Sequence, residues 1–130
     1  MPDLFDDVRS FHAKFNLSYD GPPRTLPSDE FKFRATFLDE EWDERNKARQ
    51  DGSLVDEFDA IIDQVYILLG DAVRMGLDFN EGWRRVHEAN MKKVRAARPE
   101  DSKRGSGFDV VKPEGWEHPS LYDLAYPGIF

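Results

Sequence analysis

Six carboxylates in two short runs carry the chemistry this sequence could perform. Glu40, Glu41 and Glu44 sit in Glu40-Glu41-Trp42-Asp43-Glu44; Asp56, Asp59 and Asp63 follow in Asp56-Glu57-Phe58-Asp59-Ala60-Ile61-Ile62-Asp63. Between the runs lies Asp51-Gly52-Ser53, a turn signal followed by a helix N-cap residue. If two antiparallel helices fold back near residue 50, Glu44 faces Asp56 and Glu41 faces Asp59. That stacks four carboxylates on two levels roughly one helical turn apart, at about 1.5 Å rise per residue. Such a set repels itself unless something positive lies between, and hard divalent cations with oxygen ligands are the natural candidates.

The elements that must position these groups read as helices. Residues 3–16 form an amphipathic pattern with Asp3 as N-cap and a stripe of Leu4, Val8, Phe11 and Phe15, with His12 beside it as a partly exposed histidine. Gly21, Pro22, Pro23 and Pro27 make a loop. Ser28 is expected to cap a second helix over 28–49, with Phe33, Phe37 and Leu38 on its core side. A third helix spans 53–76 behind Ser53 and stops at Gly76. The pattern Asp78-Phe79-Asn80-Glu81 opens a fourth over 79–97. Beyond it, prolines and glycines cluster and no period persists, so 98–130 is expected to wrap the bundle irregularly, pinned by Trp116, Leu121, Tyr122 and Phe130. The expected fold is all-α, a four-helix-bundle-like single domain over residues 1–130.

The two acidic runs differ in weight. Glu40, Glu41 and Glu44 share neighbouring parts of one helical surface, which suits a solvated face equally well. Asp56 has a local alternative, as the partner of Ser53 in a capping box. Asp59 and Asp63 have none. They interrupt a helix apolar nearly all round (Phe58, Ile61, Ile62, Val65, Ile67, Leu68, Leu69), where a lone carboxylate is costly. Asp59, Asp63, Tyr66 and Gly70 form one polar track along it.

Composition narrows the partners. The 130 residues carry a formal net charge of −8 and a pI near 4.8, which argues against a sequence-independent grip on nucleic acid. With no cysteine, thiolate metal sites and disulfides are excluded. No apolar run is long enough to span a membrane and no basic-then-apolar leader opens the chain, so a cytoplasmic protein is expected. An EF-hand fails, because placing Gly52 sixth puts Lys47 first and Phe58 last. A di-iron bundle fails, because none of His12, His87 and His118 has a glutamate three residues before it. An all-oxygen magnesium or manganese site survives.

The acidic motif here resembles the EExxE…ExxD signature of the MazG-like, all-α nucleotide pyrophosphohydrolases, relatives of the phosphoribosyl-ATP pyrophosphohydrolases. The likeness runs on through Asp59–Tyr66, Gly70-Asp71-Ala72, Gly76-Leu77-Asp78, Val86–Lys93 and Lys112-Pro113-Glu114-Gly115-Trp116. One departure is Asp56, where the family has Glu and the carboxylate is one methylene longer. The resemblance implies hydrolysis of a (deoxy)nucleoside triphosphate to monophosphate and pyrophosphate, in control of the nucleotide pool. A dNTP is expected, with a purine such as dGTP first in line. It implies Glu41, Glu44, Asp56 and Asp59 as ligands of two or more Mg2+ or Mn2+ ions, Asp63 as an outer ligand, and Glu40 as a ligand or water-orienting group. Asn90 and Lys93 match its phosphate-contacting pair, Lys112 is a further phosphate contact, and Tyr66 borders the base or belongs to the core. Homodimers or homotetramers are expected, and phage-encoded members belong to the family. Two other readings stay open: a non-catalytic acidic helical module, and a pyrophosphohydrolase acting on phosphoribosyl-ATP.

Overall fold

The computed structural model describes residues 3–128, so Phe130 lies outside the described residues. The chain is all-α in character, with helices α1 (Leu4–Lys14), α2 (Ser28–Asp51), α3 (Leu54–Met75) and α4 (Phe79–Asn90). Two short strands, β1 (Val94–Arg95) and β2 (Val110–Val111), and a last helical turn α5 (Tyr122–Ala125) complete it. No helix among the described residues is long and apolar enough to cross a membrane. The chain divides into two compact units, residues 1–79 and 80–130.

In the first unit α1 and α2 both pack on α3. Asp3 caps α1 as expected, its Oδ1 accepting from the Asp6 N–H at 3.1 Å. Val8 is buried as expected, but its partners in the buried stripe are Phe5 and His12, each one position beyond the expected Leu4 and Phe11. Leu4, Phe11 and Phe15 lie more open. Phe5 and Val8 join Leu69, Ala72 and Val73 of α3 in the core, with Tyr66, Leu77 and Phe79 at its edge. His12 is 3% exposed, not partly exposed as expected, and its Nδ1–H donates to the Val8 carbonyl at 2.9 Å. A helical carbonyl one turn back satisfies the ring, so burial costs little.

Ser28 lies inside α2; the capping position is Pro27, which offers no side-chain bond. Proline's fixed φ suits the entry to a helix even without a side-chain acceptor. At the far end Gly52, at φ 70°, closes α2 in the left-handed region, and Ser53 Oγ accepts from the Asp56 N–H at 3.3 Å to start α3. α2 therefore runs to Asp51 and the reversal centres on Gly52 and Ser53, slightly later than residue 50. Because opposing residues shift by twice the displacement of the turn, the pairing moves by about one helical turn. Glu30 meets Arg74, Arg34 meets Asp71, Glu41 meets Asp63 and Arg45 meets Glu57.

The apolar girdle of α3 is only partly covered within one chain. Ala60, Leu69, Gly70, Ala72 and Val73 are buried, whereas Phe58, Ile61, Ile62, Val65 and Leu68 are open. On α2, Phe33 and Phe37 pack edge-on against each other at 4.4 Å and are also open, contrary to the expected core side.

In the second unit α4 stops at Asn90, short of the expected 97. Tight bonds from Lys92 to Ala89 and from Lys93 to Asn90 wind it down, and Val94–Arg95 then pair antiparallel with Val110–Val111. β-Branched residues favour the extended form once a partner strand is present. The tail thus contains a small hairpin where no period was expected. Its loop is tied by Asp109, which accepts from Ser102 Oγ at 2.7 Å and from the Arg104 guanidinium at 3.0 Å. Arg85 of α4 clamps Asp123 at the start of α5 with two bonds, at 2.7 and 3.0 Å.

Candidate active site

The helical hairpin of α2 and α3 gathers four of the six carboxylates, Glu41, Glu44, Asp59 and Asp63. Glu41 is half-buried on α2, and its Oε2 is buried with no hydrogen-bond partner. An orphaned carboxylate oxygen beside a well-packed helix pair is expensive. Burial is the first cause that pushes the Glu41 carboxyl up to about 7, followed by the charges of Asp63 and Glu44, both within hydrogen-bonding reach. Asp63, across on α3, is also raised, first by burial and then by the Asp59 charge, while its contact with Glu41 pulls the other way. Two ionised carboxylates in contact repel, so each resists losing its proton where no cation lies between them.

Glu40 and Asp56 are exposed and are not among the principal charges acting on that pair. The capping alternative for Asp56 is half realised. Its N–H is held by Ser53, but the Ser53 N–H donates to the Ala48 carbonyl at 2.9 Å, which leaves the Asp56 carboxylate outside a closed box. Tyr66, one turn along from Asp63, packs edge-on against Phe11 at 5.3 Å at the rim of the α1–α3 core.

The donor set fits a hard cation. It consists of carboxylate oxygens alone, one of them buried and unpartnered, with raised proton affinity where a positive charge is missing. Among the described residues, however, no three acidic or histidine side chains are arranged around a common point to hold an ion. The contacts are pairwise, Glu41 with Glu44 and Asp63, and Asp63 with Asp59. Of the expected ligands the hairpin brings Glu41, Glu44 and Asp59 together, with the expected outer ligand Asp63 among them, and leaves Asp56 apart.

Sequence reasoning passed over Arg34. It lies seven residues before Glu41, hence on the same face of α2, and this spacing could have found it. Its Nε pairs with Asp71 and its Nη2 donates to the Ile67 carbonyl at 3.0 Å. The guanidinium lies over Gly70, where an added Cβ would fall 2.3 Å from Nη2 and 3.0 Å from His12 Cε1. The glycine in the polar track is thus a slot for an arginine.

The expected phosphate contacts lie in the second unit. Asn90 is the last residue of α4 and exposed; Lys93 sits in the turn beyond, so the two do not share a helix face. Lys112 follows β2 directly. Both lysine ammoniums lie over the Trp116 ring, at 5.1 and 5.2 Å from its centroid.

Residues 8–90 match the family model described as PRA-PH, phosphoribosyl-ATP pyrophosphohydrolase. The matched span contains all six carboxylates and Asn90, and ends before Lys93 and Lys112. No curated protein matches the chain.

Proposed function

The chain belongs to the phosphoribosyl-ATP pyrophosphohydrolase family, within the MazG-like nucleotide pyrophosphohydrolases, and from that premise we propose that it hydrolyses a (deoxy)nucleoside triphosphate to the monophosphate and pyrophosphate with Mg2+ or Mn2+. Family membership carries hydrolysis of a phosphoanhydride bond in a nucleotide. The observation that supports the metal-dependent reading is the buried, unpartnered Glu41 Oε2 among Glu44, Asp59 and Asp63. A cluster of this charge repels a triphosphate, so a cation must mediate between them.

Bound divalent ions would supply charge neutralisation of the phosphate oxygens and a water of lowered pKa. Glu41, Glu44, Asp56 and Asp59 are proposed to hold them, with Asp63 outside and Glu40 orienting the attacking water. Asp56 needs the most adjustment, being exposed and the shorter acid. Asn90, Lys93 and Lys112 are proposed to bind phosphate oxygens, and Tyr66 to border the base. Base choice would rest on few contacts; a dNTP is favoured, and dGTP is the first purine to test. We take residues 1–130 to form one such domain, active on the nucleotide pool of the cytoplasm.

A panel of dNTPs and NTPs with product identification tests the reading. Pyrophosphate and monophosphate should appear with magnesium or manganese, and Glu41→Gln or Asp59→Asn should lower the rate at least ~100-fold with helicity retained. Release of single phosphate, or no metal binding and full tolerance of Asp59→Asn, would point to another hydrolase or to a non-catalytic acidic module. The family description favours one second reading, hydrolysis of phosphoribosyl-ATP, which belongs in the same panel.

The open residues Phe33, Phe37, Phe58, Ile61, Ile62, Val65 and Leu68 support assembly with further copies of the chain, as homodimer or homotetramer.

A further inference from the structure

Two cations in the second unit are gathered where no acid explains them. Lys93, in the turn after α4, and Lys112, just past β2, come from separate segments, yet both ammoniums lie over one indole, that of Trp116. Among the described residues neither makes an ion pair with a carboxylate. The ring itself is anchored: Trp116 is half-buried, and its Nε1–H donates to the Ala89 carbonyl at 2.7 Å, in the last turn of α4. The same carbonyl accepts from the Lys92 N–H at 3.1 Å, so the ring is tied to the closing turn of α4. His118 packs edge-on against the ring at 4.8 Å, and its Nε2 accepts from the Lys112 ammonium at 3.2 Å. Two ammoniums are held at one ring, each about 5 Å from its centroid, and the indole π-system offsets only part of their charge. The arrangement is complete when an anion meets both ammoniums.

We propose that Trp116 is a positioning residue that assembles Lys93 and Lys112 into one seat for the polyphosphate chain of a nucleotide. The choice of polyphosphate as the anion rests on the pyrophosphohydrolase reading above; the paired cations do not. Trp116 need not touch substrate. It fixes one ring against α4, and the two flexible lysine stems are confined by that ring. Confinement before binding lowers the entropy lost when the anion arrives.

The test uses the full chain and inorganic tripolyphosphate, titrated by calorimetry without metal, beside steady-state hydrolysis of the preferred triphosphate. Wild type should bind tripolyphosphate. Trp116→Leu should weaken binding roughly fivefold or more, whereas Trp116→Phe, which keeps a ring face, should stay within about threefold of wild type. Lys93→Met and Lys112→Met should each weaken binding, and each should add little in the Trp116→Leu background, the non-additivity expected of groups acting as one unit. KM should rise in Trp116→Leu with kcat nearly unchanged. Absent tripolyphosphate binding, an unaltered affinity and KM in folded Trp116→Leu, or fully additive lysine losses would each overturn the seat. Should Trp116→Leu fail to fold, the Lys93→Met and Lys112→Met cycle with the ring in place decides alone: sub-additive losses support a shared seat and additive losses refute it. Tripolyphosphate binding with this pattern but no nucleotide hydrolysis would remove the catalytic reading and leave the seat. Hydrolysis with no effect of Trp116→Leu would do the reverse.

Discussion

Glu41 concentrates the electrostatic problem of the molecule. Its carboxyl is lifted to about 7 by burial first and by Asp63 and Glu44 next, against an ordinary value of 4.5. The folded chain therefore holds that proton more tightly than the unfolded chain does. Stability from this group is fully present below about 4.5 and is lost as pH rises through about 7. In chelator, urea midpoints for wild type should fall between pH 5 and pH 7.5, and Glu41→Gln should flatten that fall and be the more stable protein at pH 7.5. Magnesium or manganese should reverse the order at pH 7.5, by stabilising wild type and not the variant. A wild-type profile already flat across this window would remove the coupling between Glu41 and Asp63. Asp63 was legible in the sequence as a carboxylate with no apolar excuse. Its pairing with Glu41 was not, because it depends on how far α2 continues before the chain turns.

At the scale of elements, the hairpin of α2 and α3 is held in register by charged contacts on both sides of the acidic cluster. Arg74 takes both oxygens of Glu30 at 2.9 and 3.0 Å near one end, and Arg45 approaches Glu57 at 3.9 Å near the other. The partly buried, two-bond pairing with Arg74 depresses the Glu30 carboxyl, whereas the longer Arg45–Glu57 pair contributes little. Between them Arg34 fills the slot above Gly70. Helix propensity alone would make Gly70→Ala stabilising by about 1 kcal/mol. Steric conflict with the Arg34 guanidinium and the His12 ring works the other way, and overpacking of this kind costs about 1–3 kcal/mol. Thermal denaturation should show Gly70→Ala less stable than wild type. Gly52→Ala meets open space and is opposed only by its φ of 70°, at about 1–2 kcal/mol. A stabilised Gly70→Ala would show that Arg34 does not occupy that slot. The helix caps Asp3, Ser53 and Gly76 were readable, since capping is local. The early stop of α4 was not: periodicity could not reveal that Val94 finds a strand partner in Val111.

Across the whole molecule, charge and apolar surface are unevenly distributed. Residues 1–79 hold eighteen of the 26 acidic side chains and nine of the eighteen basic ones, so the second unit is close to neutral. The acidity that argued against nucleic acid is thus a property of the carboxylate-bearing unit. The same unit leaves Phe58, at 62% exposed, and Ile62, at 48%, uncovered on α3. Open residues of this size along one helix suit the assembly proposed above. Sedimentation velocity should find a dimer or larger species, and Ile62→Glu should shift it toward monomer with helicity mostly kept. A wild-type monomer at micromolar concentration would dismiss the second copy.

By itself the sequence determined what is local or periodic: three of the four long helices nearly to their ends, the caps at Asp3, Ser53 and Gly76, a reversal to within a few residues, and the identity of the carboxylates. Tertiary structure alone decided which of them meet. A turn displaced by a residue or two moves every facing pair by a full helical turn, which set Glu41 against Asp63 in place of Asp59. It also decided which apolar stripes are covered, because a side chain's burial depends on the neighbour that arrives and not on its own chemistry. His12 was buried and Phe33 left open for that reason.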